Sequence, residues 1–168
     1  MADLRTWLDD VEKLGQLMNV NDAHWNLELS TLTELINERS KTRPAIVFDK
    51  IKEYPTGHRV AVNLLSSLQR LALTMGMDPK LAPFDFVQQW RKRVKSIQPI
   101  EPHLVKSAPL FENVQKGADI DLFKFPVPRW HELDGGRYIG TDDLVVTRDP
   151  EEGWVNVGTY RIMLHGRD

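Results

Sequence analysis

The stretch LVVTRDPEEGWVNVGTYRIML, residues 144–164, decides the fold. Two runs rich in β-branched and aromatic residues, 144–147 and 154–164, flank a connection that contains Pro150 and Gly153, which is typical of antiparallel strands joined by a turn. The stretch therefore predicts a β-hairpin. A hairpin alone is marginally stable, and its open edge needs further strands or a cover. No further strand follows in the sequence, so we expect a fragment of a longer protein or a chain that requires a partner.

The sequence before the hairpin carries helical patterns. Apolar residues recur every three or four positions from Asp3 to Leu14, with Asp3 as the expected N-cap and Gly15 as the expected stop. A second helix is predicted to start between positions 26 and 31, where Thr31 and Glu34 have capping-box spacing. The same periodicity predicts two more helices, over 67–75 and 85–95.

Strand-like runs and prolines complete the pattern. Apolar runs at 45–48 and 59–62 predict two strands of a buried sheet. Five prolines, Pro99, Pro102, Pro109, Pro126 and Pro128, then fall within thirty residues, a density that prevents long helices because proline lacks the amide donor. The predicted fold class is α+β (mixed α/β), with N-terminal helices and a small sheet before the hairpin. We divide the chain into an N-terminal α/β region, 1–107, and a second region, 108–168.

Composition excludes several functional classes. A chain of 168 residues with 41% hydrophobic and 27% charged residues is an ordinary globular chain with one main core. The 22 Lys and Arg against 24 Asp and Glu leave no basic excess for binding nucleic acid. The absence of cysteine removes disulfides and thiol nucleophiles. No secretory signal or membrane span is visible, so we expect a cytoplasmic protein without nucleic-acid or membrane partners.

The loop at 131–134 is the first candidate for chemistry. His131, Glu132 and Asp134 place one imidazole and two carboxylates within four residues, which could bind a divalent ion or transfer protons. The spacing matches no established ligand signature. A polar loop that turns at Asp134 is therefore the favoured interpretation, and a metal-dependent hydrolase built on this loop is the lesser alternative.

The segment NVGTYR, residues 156–161, is the stronger candidate. Asn156 offers a carbonyl oxygen to a hard cation, Gly158 permits close backbone approach, and Arg161 can bind a carboxylate or phosphate with two hydrogen bonds. Strict alternation puts Asn156 and Gly158 on one face of the strand and Arg161 on the other, whereas a bulge at Gly158 would bring them together. An exposed strand face with ordinary polar residues is the alternative.

Several segments, in this order, resemble the UbiD family of reversible, non-oxidative decarboxylases that use prenylated FMN. They are DLRTWL at 3–8, PAIVF at 44–48, FPVPRWH at 125–131, DGGRYIGT at 134–141 and NVGTYRI at 156–162. The resemblance implies that 108–168 begins a split β-barrel-like flavin-binding domain, which agrees with the predicted hairpin. It also implies decarboxylation of aromatic or α,β-unsaturated carboxylic acids with release of CO2.

The resemblance assigns roles to individual residues. Asn156 is similar to an asparagine that coordinates a manganese ion beside the flavin phosphate. Arg161 resembles the active-site arginine that contacts the substrate carboxylate and belongs to a catalytic network with two glutamates. The implied cofactor-binding positions are Thr141, Asn156, Gly158, Thr159, Tyr160 and Arg161. The implied cofactors are prenylated FMN and Mn2+, with K+ as a further cation, and a flavin prenyltransferase would supply the modified flavin.

The chain also departs from the family pattern. Family members are much longer, and the remaining metal ligands, the two catalytic glutamates and the phosphate-binding lysine have no counterpart in this sequence. We therefore expect the N-terminal part of a homo-oligomeric decarboxylase, inactive as this short chain. The alternative is a non-catalytic module of the same fold that serves folding, oligomerisation or partner binding.

Overall fold

The computed structural model describes residues 3–101 and 103–168, so Pro102 lies outside the described residues. The chain forms two compact units. The first comprises the chain up to Leu17, Thr42–Ala45 and Asn63–Ile120, and the second comprises Met18–Lys41, Ile46–Val62 and Asp121–Asp168. No described helix is long and apolar enough to span a bilayer.

Helix α1 spans Leu4–Lys13, as the periodicity predicts. The Asp3 side chain accepts a hydrogen bond from the Thr6 amide at 2.9 Å, which satisfies an amide that has no partner inside the helix. This bond lowers the pKa of Asp3. Gly15 ends the helix with a φ of 67°, a conformation that glycine adopts without strain. The predicted cap and stop are both confirmed.

Helix α2 spans Glu28–Arg39 and starts inside the predicted window, but its predicted capping box is wrong. Thr31 lies within the helix, where its hydroxyl donates to the Leu27 carbonyl at 2.8 Å. The residue before the helix is Leu27, with a φ of 65° and no side-chain cap. Leu29 in the first turn is fully buried, and the Glu28 side chain accepts from the His24 amide at 2.7 Å, so packing and this contact accompany the helix start instead of the predicted capping box.

Helices α3 (Leu68–Thr74) and α4 (Pro83–Ser96) confirm the other two helical predictions. The Ser67 side chain caps α3. Helix α4 starts two residues before the predicted position because Pro83 occupies its first turn, where a missing amide hydrogen costs nothing. Arg93 of α4 donates to the carbonyls of Met75 and Gly76, at 2.6 and 3.2 Å, and so satisfies the end of α3.

A three-stranded sheet has the order β1-β2-β3, with β1 at Leu17–Asn21, β2 at Ala45–Asp49 and β3 at Val60–Val62. Strands β2 and β3 are antiparallel and confirm the two predicted strands. Strand β1 was not predicted, because its sequence LMNVN is short and lacks regular alternation. A buried hydrophobic cluster in the second unit is formed by Ala23, Leu29, Ile46, Phe48 and Ile51.

The predicted hairpin is present as β4 (Tyr138–Arg148) and β5 (Val155–Met163), paired antiparallel. The fold is mixed α+β, as predicted, and the described residues contain no closed barrel. The outer apolar side chains of the hairpin are not buried. Leu144 is 71% exposed and Val157 is 57% exposed, because no described element covers that face.

Arg70 of α3 is the largest side chain that is fully buried in the first unit. Its guanidinium donates to the carbonyls of Arg43, Asn63 and Leu64 and to the Gln16 side chain, at 2.7 to 3.0 Å. Burial away from water lowers the pKa of Arg70. No carboxylate of a described residue pairs with it, so neutral oxygens alone compensate the buried charge. The fork geometry of arginine allows one side chain to join three separate segments.

We predict that Arg70→Met destabilises the chain by about 3 kcal/mol or more, because it removes four hydrogen bonds made by a fully buried side chain. Arg70→Lys should also destabilise, since one ammonium cannot reach the same set of oxygens. Urea unfolding measures the change. Arg91→Met on the exposed side of α4 is the matched control and should stay within about 0.5 kcal/mol. Equal effects of Arg70→Met and Arg91→Met would contradict the prediction.

Candidate active site

Strand β5 is regular, and this regularity fixes the faces of the hairpin. Every residue from Val155 to Met163 has a register partner on β4, so successive side chains alternate between the two faces. Thr159 and Arg161 share one face with their partners Leu144 and Thr141. Tyr160 shares the other face with Asn156 and Gly158.

Both irregularities of the hairpin lie on β4. The register shifts between Tyr138 and Gly140 and again between Thr141 and Asp143, so Ile139 and Asp142 are the extra residues of two bulges. A bulge at Gly158, the alternative that the sequence left open, does not form. Bulges redirect side chains and are common beside active sites. Here they change which β4 side chains stand next to Arg161.

A groove of about 380 Å3 opens at the end of the hairpin where Thr141 pairs with Arg161. We call it the hairpin groove, and it is lined by Thr141, Asp142, Thr159, Tyr160 and Arg161. It therefore combines hydroxyl groups, a carboxylate and a guanidinium. Within residues 3–101 and 103–168, no carboxylate lies within ion-pair distance of Arg161. The guanidinium edge remains available to an anion.

Asp142 adopts a φ of 110° at the second bulge. Residues other than glycine are strained in this region, and such strain is concentrated at functional sites. The carboxylate of Asp142 lines the hairpin groove. The chain therefore keeps a side chain at a groove position where glycine would fit the backbone better.

The predicted site residues divide between the two faces. The structure brings Thr141, Thr159, Tyr160 and Arg161 together as lining residues of the hairpin groove. Asn156 lies on the opposite face, directly across from Thr147, and is half-buried. Gly158 lies on the same face as Asn156, and the Tyr160 ring packs over it: a Cβ added at Gly158 would lie 2.6 Å from Cε2 of that ring.

Arg137 fixes the chain immediately before the hairpin. Its Nε donates to the Val127 carbonyl at 2.6 Å, and its guanidinium carbon lies 3.9 Å from the centroid of the Trp25 ring. It also donates to the Tyr54 hydroxyl. Trp25 in turn donates through Nε1 to Glu53 at 2.8 Å, and this bond lowers the pKa of the Glu53 carboxyl. The entry to β4 is thus held by aromatic rings and neutral oxygens.

The loop at 131–134 does not assemble a metal centre. His131 Nε2 lies 2.8 Å from Glu34 Oε1 of α2, and both side chains are largely exposed. Asp134 accepts from the His131 amide at 3.0 Å, which is the turn that the favoured interpretation predicts. Among the residues that the structure describes, no group of three or more His, Cys, Asp or Glu side chains could hold a metal. The hydrolase alternative therefore loses its site.

The sequence did not identify Tyr138, Asp142 or Arg137 as functional candidates. The positions of Tyr138 and Asp142 depend on the two bulges. The inserted residues, Ile139 and Asp142, are not glycines, and no local sequence pattern predicts a bulge of this kind. The cation–aromatic contact of Arg137 joins residues more than a hundred positions apart. Arg137 and Tyr138 lie within the DGGRYIGT motif, and the family resemblance of that motif was the one signal that pointed to this segment.

The chain resembles known enzymes in both sequence and structure. Residues 8–90 match the 3-octaprenyl-4-hydroxybenzoate carboxy-lyase N-terminal domain, and residues 103–168 match the Rift-related domain of the same enzyme class. Pyrrole-2-carboxylic acid decarboxylase of Pseudomonas aeruginosa is 33% identical over 99% of this chain and 34% of its own length. The chain thus spans about a third of the length of the curated relatives it matches.

Solved structures of the same class of enzymes match the fold of this chain. The closed form of vanillic acid decarboxylase from Sedimentibacter hydroxybenzoicus has a TM-score of 0.88 and 36% identity, covering 100% of this chain and 36% of that one. An evolved dimeric form of HmfF from Pelotomaculum thermopropionicum, in complex with prFMN, has a TM-score of 0.80 and 26% identity, covering 100% and 37%. The fold and the sequence of this chain thus both match domains of carboxy-lyases. The chain belongs to the UbiD family, and it corresponds to an N-terminal portion of those enzymes.

We predict that Asp142→Gly stabilises the chain by up to about 1 kcal/mol, because glycine adopts a positive φ without the Cβ clash. Asp142→Ala also removes the carboxylate but keeps the Cβ, so it should not stabilise. Urea unfolding of the two variants separates backbone strain from charge. A stabilisation of equal size in both variants would show that the carboxylate, not the backbone, is the source.

We predict that Gly158→Ala displaces the Tyr160 ring, since the new methyl group would overlap it. The free energy of unfolding should fall by about 1 kcal/mol, as for other small overpacking changes. Ring-proton NMR resonances of Tyr160 report the displacement. Gly135→Ala is the control, because a Cβ there meets Met163 only at an ordinary 3.7 Å. Unchanged Tyr160 resonances in Gly158→Ala would contradict the packing.

Proposed function

We propose that this chain supplies part of a prenylated-FMN site and the carboxylate-binding arginine of a decarboxylase acting on aromatic or α,β-unsaturated acids. The observation that carries the proposal is the meeting of Thr141, Thr159 and Arg161 in one groove. These are three of the positions that the family resemblance assigned to the cofactor and substrate. The named acids of the relatives, pyrrole-2-carboxylic acid and vanillic acid, are aromatic carboxylic acids and support this substrate class.

The hairpin groove fits an anionic flavin. Its hydroxyl groups can donate hydrogen bonds to ring carbonyls or phosphate oxygens, and Arg161 can bind a carboxylate through two parallel N–H groups. Tyr160 adds an aromatic side chain to the groove lining, and the absence of a Cβ at Gly158 leaves room for its ring. Prenylated FMN, when bound, supplies the electron sink for loss of CO2, while the protein supplies binding and orientation. The complex of HmfF with prFMN supports this cofactor.

In this proposal Arg161 binds and orients the substrate. Its side chain is exposed at the groove, so a bidentate contact would hold the acid with its carboxylate at a fixed position. A carboxylate held in this way is restrained in rotation, and such orientation lowers the entropic part of a reaction barrier. The exposed position also allows the acid to enter from solvent.

Asn156 fits a metal site only as one member of a larger ligand set. Its amide oxygen is a suitable neutral ligand for Mn2+, which favours oxygen donors. Asp143 is the carboxylate on the same face within the paired strands, but it pairs with Tyr160, four positions along β5 and about 13 Å from Asn156. We propose Asn156 as a Mn2+ ligand whose companions come from other parts of the enzyme. K+ is proposed as a second cation.

We also propose the domain organisation, the cofactor supply, the oligomeric state and the compartment of the enzyme. The region 108–168 is the start of the flavin-binding domain and 1–107 is the N-terminal region. A flavin prenyltransferase supplies the cofactor, and the enzyme is a cytoplasmic homo-oligomer. The evolved dimeric form of HmfF supports the oligomeric part of this proposal.

The second candidate function is a non-catalytic module that folds or binds a partner. One observation favours it: Leu144, Val146 and Val157 form an exposed apolar face on the hairpin. Apolar faces of this kind mark surfaces that another chain segment covers. Under this alternative the hairpin groove has no ligand.

The test is binding of prenylated FMN, followed by flavin absorbance, to this chain and to a longer form of the enzyme that also carries the two catalytic glutamates; decarboxylation of pyrrole-2-carboxylate and vanillate is measured on the longer form. Arg161→Gln should abolish decarboxylation, or lower it at least about 100-fold, because it removes the charged bidentate contact. Arg148→Gln is the control, because Arg148 lies on the same face at the far end of the hairpin. Equal behaviour of the two variants, or no flavin binding by any form, would favour the non-catalytic module.

A further inference from the structure

We infer that Tyr138 is a positioning residue for Arg161: its ring holds the guanidinium over the hairpin groove. The Arg161 guanidinium carbon lies 5.6 Å from the centroid of the Tyr138 ring, within the range of a cation–aromatic attraction. The inference rests on the proposed function, because it concerns how Arg161 is prepared to receive a carboxylate.

The first bulge explains why an aromatic ring stands beside Arg161. Tyr138 pairs with Met163 and Thr141 pairs with Arg161, with Ile139 as the inserted residue between them. Without the insertion, alternation from Thr141 would place Ile139 on the Arg161 face opposite Met163. The bulge moves Tyr138 to that position and turns Ile139 away. A single inserted residue thus exchanges an aliphatic neighbour of Arg161 for an aromatic one.

The backbone around Tyr138 is fixed on both sides. The Tyr138 amide donates to the Pro128 carbonyl at 3.0 Å, and the Leu164 amide donates to the Arg137 carbonyl at 2.8 Å. A Cβ added at Gly136 would lie 3.1 Å from the Met163 sulfur, so the two strands approach closely there. Arg137 adds its contacts to Trp25 and Val127. The backbone that carries the Tyr138 ring is therefore held in place by these contacts.

The choice of an aromatic ring has a chemical consequence. A carboxylate partner would orient Arg161, but it would occupy the same N–H groups that a substrate needs. The face of an aromatic ring attracts the cation through its quadrupole and leaves the N–H edge of the guanidinium available. Tyr138 thus orders a long, otherwise mobile side chain without neutralising it. The ordering lowers the entropic cost of binding an acid.

The experiment uses NMR of the 15N-labelled full chain. The Arg161 Nε–Hε signal, assigned by its loss in Arg161→Lys, should be shifted upfield by the ring. Tyr138→Leu should remove this shift, whereas Tyr138→Phe, the matched control, should keep it. Titration with benzoate, a simple aromatic carboxylate, should show a Kd raised about two- to fivefold in Tyr138→Leu and unchanged in Tyr138→Phe.

An Arg161 signal that is the same in the unmodified chain and in Tyr138→Leu would overturn the inference. This holds even if Tyr138→Leu lowers the melting temperature, because a tyrosine with a purely structural role would give that combination. If Tyr138→Leu does not fold, the unmodified chain decides: a nuclear Overhauser effect between the Tyr138 ring and the Arg161 δ-methylene supports the inference, and its absence overturns it. A ring-dependent signal supports positioning even where benzoate binds no form of the chain, a result that would count against the proposed function alone.

Discussion

The geometry of the candidate site depends on how one cation, Arg137, is held. Its guanidinium stacks on Trp25 and donates to the Val127 carbonyl and the Tyr54 hydroxyl. These contacts join three distant segments of the second unit at the residue before β4 begins. A half-buried charge must be compensated, and here neutral oxygens, an aromatic face and the nearby Glu53 carboxylate compensate it. Because the start of β4 is fixed there, both bulges and the groove that follows them have defined positions.

Local signals in the sequence were sufficient for most elements of the fold. Asp3 and Gly15 delimit α1 because a cap and a stop act within one helical turn, and Pro150 with Gly153 marks the hairpin for the same reason. The prediction failed where tertiary packing decides. Strand β1 forms because β2 lies beside it, and α2 starts at Glu28 although Thr31 offers a local cap.

The candidate site was predictable in its residues but not in its arrangement. The chemistry of Asn156, Gly158 and Arg161 is visible in the motif, and alternation correctly separated Arg161 from the other two. The bulges at Ile139 and Asp142 were not visible, because an inserted residue depends on the pairing of two strands and not on either strand alone. For this reason Tyr138 and Asp142 became neighbours of Arg161 only in the folded chain.

Three arginines in this chain show how environment decides the role of one side chain. Arg70 is fully buried, and backbone carbonyls and Gln16 occupy its donors. Arg137 is half-buried, with carbonyl, hydroxyl and aromatic contacts, so it too has little capacity left for a ligand. Arg161 has a ring on one face and, among the described residues, no carboxylate at its edge. Unused donors at a fixed position are what binding an anion requires, and of these three guanidinium groups Arg161 is the one that offers them to the groove.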